Sequence, residues 1–95
     1  MKHPVVYILS NKHNNVLYVG VTSNLPKRIW EHKEKVIDGY SKKYNLEKLV
    51  YFETHISMQD AIVREKQLKK WNRDWKIRLI EEQNPGWIDM YANIL

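Results

Sequence analysis

Five residues carry the chemistry this sequence suggests: Tyr7, Tyr18, Arg28, His32 and Glu65. Cleaving a phosphodiester needs a proton acceptor for the attacking water, a cation against the charge on phosphorus, and a group for the leaving oxygen. A phenol or an imidazole can take the water's proton, the phenol only if nearby charge lowers its pKa from about 10. Arg28 can hold phosphate oxygens in a fork. A single glutamate, Glu65, can hold Mg²⁺ or Mn²⁺ that keeps most of its waters, and such an ion is a Lewis acid for the phosphate and the leaving oxygen.

Each residue alone has a plainer reading. A strand tyrosine is ordinarily a core aromatic with a satisfied hydroxyl, His32 a satisfied core histidine, and Arg28 a surface cation. Glu65 fits least well, because a carboxylate within an apolar stripe is costly unless something compensates it. Arg64 and Lys69 are expected on the opposite side of the helix from it. Other chemistries fit worse. His3, His13, His32 and His55 lack zinc-ligand spacing, and no cysteine can help. The three glycines are isolated, so no phosphate loop is present. No nucleophile elbow occurs, and the tryptophans do not line one face of a membrane-surface helix.

Short elements must position these residues. Residues 5–9 (Val-Val-Tyr-Ile-Leu) suit a strand, Ser10 to Asn15 a turn, and residues 16–20 a return strand. Period two places Val5, Tyr7 and Leu9 on one face and Val16, Tyr18 and Gly20 on one face. Gly20 lets another group approach the backbone closely. Thr22-Ser23-Asn24 offers capping oxygens before a helix over about 25–37, with Pro26 in its first turn and Gly39 as its stop. Leu25, Ile29, His32 and Val36 share a stripe there, and Arg28 and His32 project together as i and i+4. Tyr40 to Asn45 reads as a basic loop, and Glu47 to Glu53 as a third strand. Ser57 with Asp60 resembles a capping box for a helix running to about Lys70 or Trp71, with Met58, Ala61, Ile62 and Leu68 as its stripe. Trp71 to Asp74 reads as a break, Trp75 to about Gln83 as a last helix, Asn84-Pro85-Gly86 as a turn, and the aromatic tail as packing back on the body. The order β-β-α-β-α-α implies an α/β domain, residues 1–95, with a small sheet flanked by helices.

Composition bounds the setting. Ninety-five residues suit one modest core. The absence of cysteine excludes disulfides and thiolate metal sites. The N-terminal run is too short and polar for a secretory signal or a membrane span, so a cytoplasmic setting is expected. A net charge of +5 with four Trp and six Tyr points to a polyanionic partner, nucleic acid first.

At these residues the chain resembles the GIY-YIG nuclease family. Val5-Val6-Tyr7 holds the place of the first motif, with its leading Gly replaced, and Tyr18-Val19-Gly20 matches the second. The run from Tyr18 to His32 continues like the family, with Arg28 and His32 in place. Ala61 to Lys69 resembles the helix carrying the metal-binding glutamate, here Glu65. The likeness is greatest to small stand-alone bacterial members related to the nuclease part of the excision-repair incision subunit. It implies a three-stranded antiparallel sheet flanked by helices, and metal-dependent DNA cleavage in repair or recombination. In that scheme Tyr7 is the favoured general base or water-orienting phenol, and Tyr18 supports it or contacts phosphate. Arg28 neutralises the scissile phosphate, His32 assists proton transfer, and Glu65 holds Mg²⁺ or Mn²⁺. The family's late site asparagine has two candidates, Asn72 and Asn84.

Residues 64–78 hold Arg64, Lys66, Lys69, Lys70, Arg73, Lys76 and Arg78 against Glu65 and Asp74. Of these Arg64, Lys69, Lys70, Arg73 and Lys76, with Lys27, Lys42 and Lys43, are the expected contacts to the backbone of duplex or branched DNA. Such contacts position a substrate without reading sequence. Binding is therefore expected to be non-specific or structure-led unless a partner protein supplies targeting. The competing readings are a binding module that cuts poorly and a docking protein that uses its aromatic tail and basic helix.

Overall fold

A computed structural model describes residues 3–95. Its strands are β1 (Val5–Ser10), β2 (Leu17–Thr22) and β3 (Lys48–Thr54). Its helices are α1 (Leu25–Lys33), α2 (Tyr40–Lys43), α3 (Met58–Lys70) and α4 (Arg73–Gln83), and a 3₁₀ turn closes the chain at Tyr91–Ile94. The sheet order is β2-β1-β3, antiparallel throughout. Among the described residues no helix is long and apolar enough to cross a membrane.

β1 is central, and helices cover both its faces, so all six of its residues are buried. Alternation divides them. Val6 and Ile8 join Val19, Val50 and Tyr51 beneath Ala61 and Leu68 of α3 and Ile80 of α4. Val5, Tyr7 and Leu9 join Leu49 beneath Leu25 and Ile29 of α1. The tail returns as expected: Met90, Tyr91 and Ile94 pack on this second cluster, and the Met90 amide donates to the Leu49 carbonyl. Fully burying one such aliphatic side chain contributes about 1.5–3 kcal/mol. Truncating Leu68, which is fully buried, to alanine would cost about 2–5 kcal/mol.

Two connections differ from expectation. α1 ends at Lys33 rather than near residue 37, before Gly39 is reached. Lys35 takes a left-handed φ of 57°. Its amide donates to the His32 carbonyl and that of Val36 to the Glu31 carbonyl, which satisfies the last turn and stops the helix. Val36 is consequently exposed rather than part of the apolar stripe. The expected loop over Tyr40 to Asn45 contains the short helix α2. Asn45, at φ 56°, ends it in the same way, with the Leu46 amide donating to the Ser41 carbonyl. Buried Leu46 anchors that turn. These two stops fold α2 back against α1.

The α3 cap follows the sequence, while the α4 cap does not. Ser57 Oγ accepts from the Asp60 amide at the start of α3. Asn72 Oδ1 accepts from the Trp75 amide, so α4 begins at Arg73, two residues before the expected Trp75.

Candidate active site

β1 and β2 pair Tyr7 opposite Gly20 and Leu9 opposite Tyr18. The Tyr7 ring lies across Gly20: a Cβ there would fall 2.9 Å from Tyr7 Cε1 and nearer still to its Cζ and hydroxyl. Only glycine leaves room for the ring in this position. α1 brings His32 to the same place. Its Nε2 lies 2.9 Å from the Tyr7 hydroxyl. The His32 ring stands edge-on to both tyrosines, with centroids 5.7 Å from Tyr7 and 5.8 Å from Tyr18. Its other nitrogen, Nδ1, lies 2.9 Å from Ser41 Oγ on α2.

Charge surrounds this group. Burial first, then Tyr18, Glu65 and Glu31, push the Tyr7 phenol above its ordinary value against the opposing pull of Arg28. Burial, then Arg28, bring His32 from 6.5 down to about 4 against the opposing pull of Glu31. Both groups are therefore neutral near pH 7. The lowered phenol pKa that a resting Tyr7 base requires is not met.

Arg28 Nε pairs with Glu31 Oε1 at 3.4 Å, one turn along α1. Both line a cleft of about 340 Å³ at the Thr22 end of β2, with Ser23, Asn24 and Lys27. Glu65 Oε2 lies 3.3 Å from Lys69 Nζ. The expectation that Lys69 sits on the far side of the helix is thus corrected: positions i and i+4 share a face. Lys69 also lies over the Tyr18 ring, 5.9 Å from its centroid, which ties Glu65 to the outer edge of β2. At the Leu17 end of that strand a second cleft of about 210 Å³ is lined by Asn15, Val16, Tyr40, Arg73 and Lys76. Arg73 is fixed there by donating to the Asn14 carbonyl, and burial, then Arg73, lower the Lys76 pKa.

The expected nucleic-acid contacts thus divide. Lys27, Lys69, Arg73 and Lys76 follow the exposed edge of β2. Lys70 is exposed on the last turn of α3. Lys42 pairs with Asp38 at 3.2 Å, and Lys43 lies over Tyr44. Arg64 points elsewhere. Its Nε donates to both Glu53 oxygens, at 3.0 and 3.3 Å, and its guanidinium covers Trp71. It holds α3 to β3 and leaves the expected surface. The asparagine candidates are also occupied. Asn72 caps α4. Buried Asn84 donates to the carbonyls of Val50 and Ile88 and accepts from the Ile88 amide.

Two neighbours of the site were absent from the sequence reading. Glu31 had a signal, since it follows Arg28 by three on a helix. Ser41 had none, because only the turn after α1 brings it back to His32. A larger cleft, about 670 Å³, lies apart from these residues, among Lys12, Lys33, Lys35, Lys48 and Asp89.

Known proteins resemble this chain in sequence and fold. Residues 3–78 match the family model described as the GIY-YIG catalytic domain. The chain is 40% identical over 86 residues to a UPF0213 protein of Syntrophus aciditrophicus, covering 90% of this chain and 97% of that one. It is 39% identical over 79 residues to a UPF0213 protein of Clostridium perfringens, covering 83% and 84%. It is also 29% identical over 83 residues to UvrABC system protein C of Mycoplasmopsis agalactiae, spanning 84% of this chain but 14% of that protein. The solution structure of a UPF0213 protein from Bacillus halodurans has the same fold, with a TM-score of 0.58, 24% identity and 93% of each chain covered. The chain belongs to the GIY-YIG nuclease family.

Proposed function

We propose that this protein is a divalent-metal-dependent endonuclease that hydrolyses phosphodiester bonds in DNA. The observation that carries this reading is the hydrogen-bonded chain Tyr7–His32–Ser41, set beside Arg28 and within the field of Glu65. A protein that only bound DNA would have no use for a lone carboxylate set against a cation on its basic surface. A role in repair or recombination accords with the likeness to UvrABC system protein C.

Arg28 takes the scissile phosphate, exchanging its bond to Glu31 for phosphate oxygens. The phosphate's charge then offsets Arg28's pull on His32, while burial, the larger cause of its low basicity, remains. The attacking water gives its proton to the Tyr7 oxygen as the phenol passes its own to His32 Nε2, so no free phenolate is needed. Tyr18, at the mouth of this pair, orients the water or a phosphate oxygen. Lys27, Lys69, Lys70, Arg73 and Lys76 guide the backbone along β2, and Lys42 and Lys43 extend the basic surface over α2.

The donor set suits Mg²⁺ or Mn²⁺. Glu65 is a single, partly exposed carboxylate, and among the described residues no three His, Asp or Glu side chains converge. Magnesium is commonly held by one or two carboxylates together with waters and substrate phosphate. Glu65 would hold the ion, with Lys69 as its counter-charge beforehand. When bound, the ion supplies Lewis-acid stabilisation of charge on the phosphate and the leaving oxygen.

Nicking of supercoiled and branched DNA with Mg²⁺, with Mn²⁺ and with a chelator tests the reading. Cutting that needs the added metal supports it. Salt-sensitive binding without cutting under any condition would favour the binding module instead.

A further inference from the structure

Ser41 is buried at 6% exposure, and its one side-chain hydrogen-bond partner among the described residues is His32 Nδ1. Keeping a hydroxyl there takes the left-handed stop at Lys35, the turn at Gly39 and the stop at Asn45. A neutral imidazole carries one N–H, and the partner of one nitrogen decides what the other can do. If Nδ1 carries the proton, it donates to Ser41 Oγ and leaves Nε2 bare to receive from Tyr7. If Nε2 carries it, Nε2 donates to Tyr7, and the phenol has no acceptor for its own proton. Free imidazole side chains in water favour the Nε2–H form, which is the wrong one for base catalysis.

We infer that Ser41 is a positioning residue for the hydrolysis: its hydroxyl, able to accept from or donate to Nδ1, serves turnover by accepting, with His32 in the Nδ1–H form and Nε2 aimed at the Tyr7 hydroxyl. The inference rests on the proton-handling role proposed above for Tyr7 and His32. The balance closes at each atom. Water's oxygen bonds to phosphorus as the bond to the leaving oxygen breaks; the leaving oxygen keeps the bonding pair and takes a proton from solvent water. Water's proton goes to the Tyr7 oxygen, the phenol proton goes to Nε2, and the resulting imidazolium donates from Nδ1 to Ser41. A hydroxyl serves here where a carboxylate would not. It accepts in both the neutral and charged states without a negative charge that would hold the imidazole protonated. The groups facing His32 are Arg28 and Glu31 on α1, Tyr7 on β1, Tyr18 on β2 and Ser41 on α2. None of the others reaches Nδ1 by a hydrogen bond.

The test compares wild type with Ser41→Ala, Ser41→Thr and Tyr7→Phe. Imidazole ¹⁵N shifts report the tautomer without any turnover, and steady-state cleavage reports kcat and KM. Ser41→Ala is expected to move His32 to the Nε2–H form and to lower kcat by about 10–100-fold, with KM within about twofold. Ser41→Thr keeps the hydroxyl and should restore both. Wild type in the Nε2–H form, or Ser41→Ala with unchanged tautomer and kcat while Tyr7→Phe is inactive, would overturn the role of Ser41 alone. Full activity in Tyr7→Phe would overturn the underlying proton-handling reading instead. A low melting temperature in Ser41→Ala leaves the tautomer assignment in wild type and Ser41→Thr to decide.

Discussion

Gly20→Ala should act entirely through Tyr7. The added methyl would fall 2.9 Å from Tyr7 Cε1 and closer to its Cζ and hydroxyl, so one of them must move. The ring has little freedom, being 1% exposed and bonded to His32. Overpacking of this kind costs about 1–3 kcal/mol, and loss of the His32 bond adds about 0.5–1.5 kcal/mol. Replacing a strand glycine by alanine returns about 0.5–1 kcal/mol of backbone entropy, which is too little to offset the clash. A net loss of about 0.5–4 kcal/mol is therefore expected, or a fall in melting temperature of about 4–8 °C for each kcal/mol. Displacing the phenol by about 1 Å should lower kcat by about 100-fold. The decisive arm is the double variant, followed by denaturant unfolding. In a Tyr7→Ala background the ring is gone, and Gly20→Ala should become neutral or mildly stabilising. If the alanine costs as much there as in wild type, the clash is not with Tyr7 and the geometry given for the site is wrong.

Arg64→Ala should lower stability by about 1–3 kcal/mol, because a partly buried charge-assisted pair is lost, and should leave the salt dependence of DNA binding unchanged. Lys76→Ala, by contrast, should reduce the log–log salt slope by up to about 0.9 for its one phosphate contact. Burial alone would raise the Glu53 pKa, but hydrogen bonds from Tyr51, Arg64 and His55 outweigh it and hold the carboxyl below its usual value of 4.5. Its contribution to stability should be complete above that value and be lost as pH falls through the depressed folded-state pKa, as urea midpoints across acidic pH would show. The His32 ring should stay neutral down to about pH 4 in an NMR titration. Because the unfolded chain binds that proton from about 6.5 downward, His32 should weaken the fold progressively between those two values.

The sequence made the scaffold legible where pattern and packing agree. Period two separated Tyr7 from its neighbours on β1, and apolar spacing found α1 and α3. Ser57 marked the start of α3 that its side chain caps, and of the oxygens offered by Thr22-Ser23-Asn24 it is Asn24 that caps α1. Gly20 was legible as a place where another group comes close to the backbone, but that this group is the Tyr7 ring follows only from the pairing of β1 with β2. What stayed hidden depends on contacts with no local signal. Lys35 has a side chain that disfavours left-handed backbone, so nothing near residue 35 announced the end of α1. Without that turn Ser41 could not be connected to His32. Arg64 looked like one more cation in a basic run, because Glu53 is brought to it only by packing α3 on β3. The Glu65–Lys69 pair was legible and misjudged, since a spacing of four puts both on one helix face.

The most direct test of the nuclease account is cleavage of supercoiled DNA by wild type and by Glu65→Gln at equal DNA occupancy, with Mg²⁺ or Mn²⁺ present. Wild type should cut, and Glu65→Gln should bind at least as tightly, having lost a negative charge, without cutting. Equal cutting by both proteins would remove Glu65 from the chemistry and contradict the site proposed for this fold.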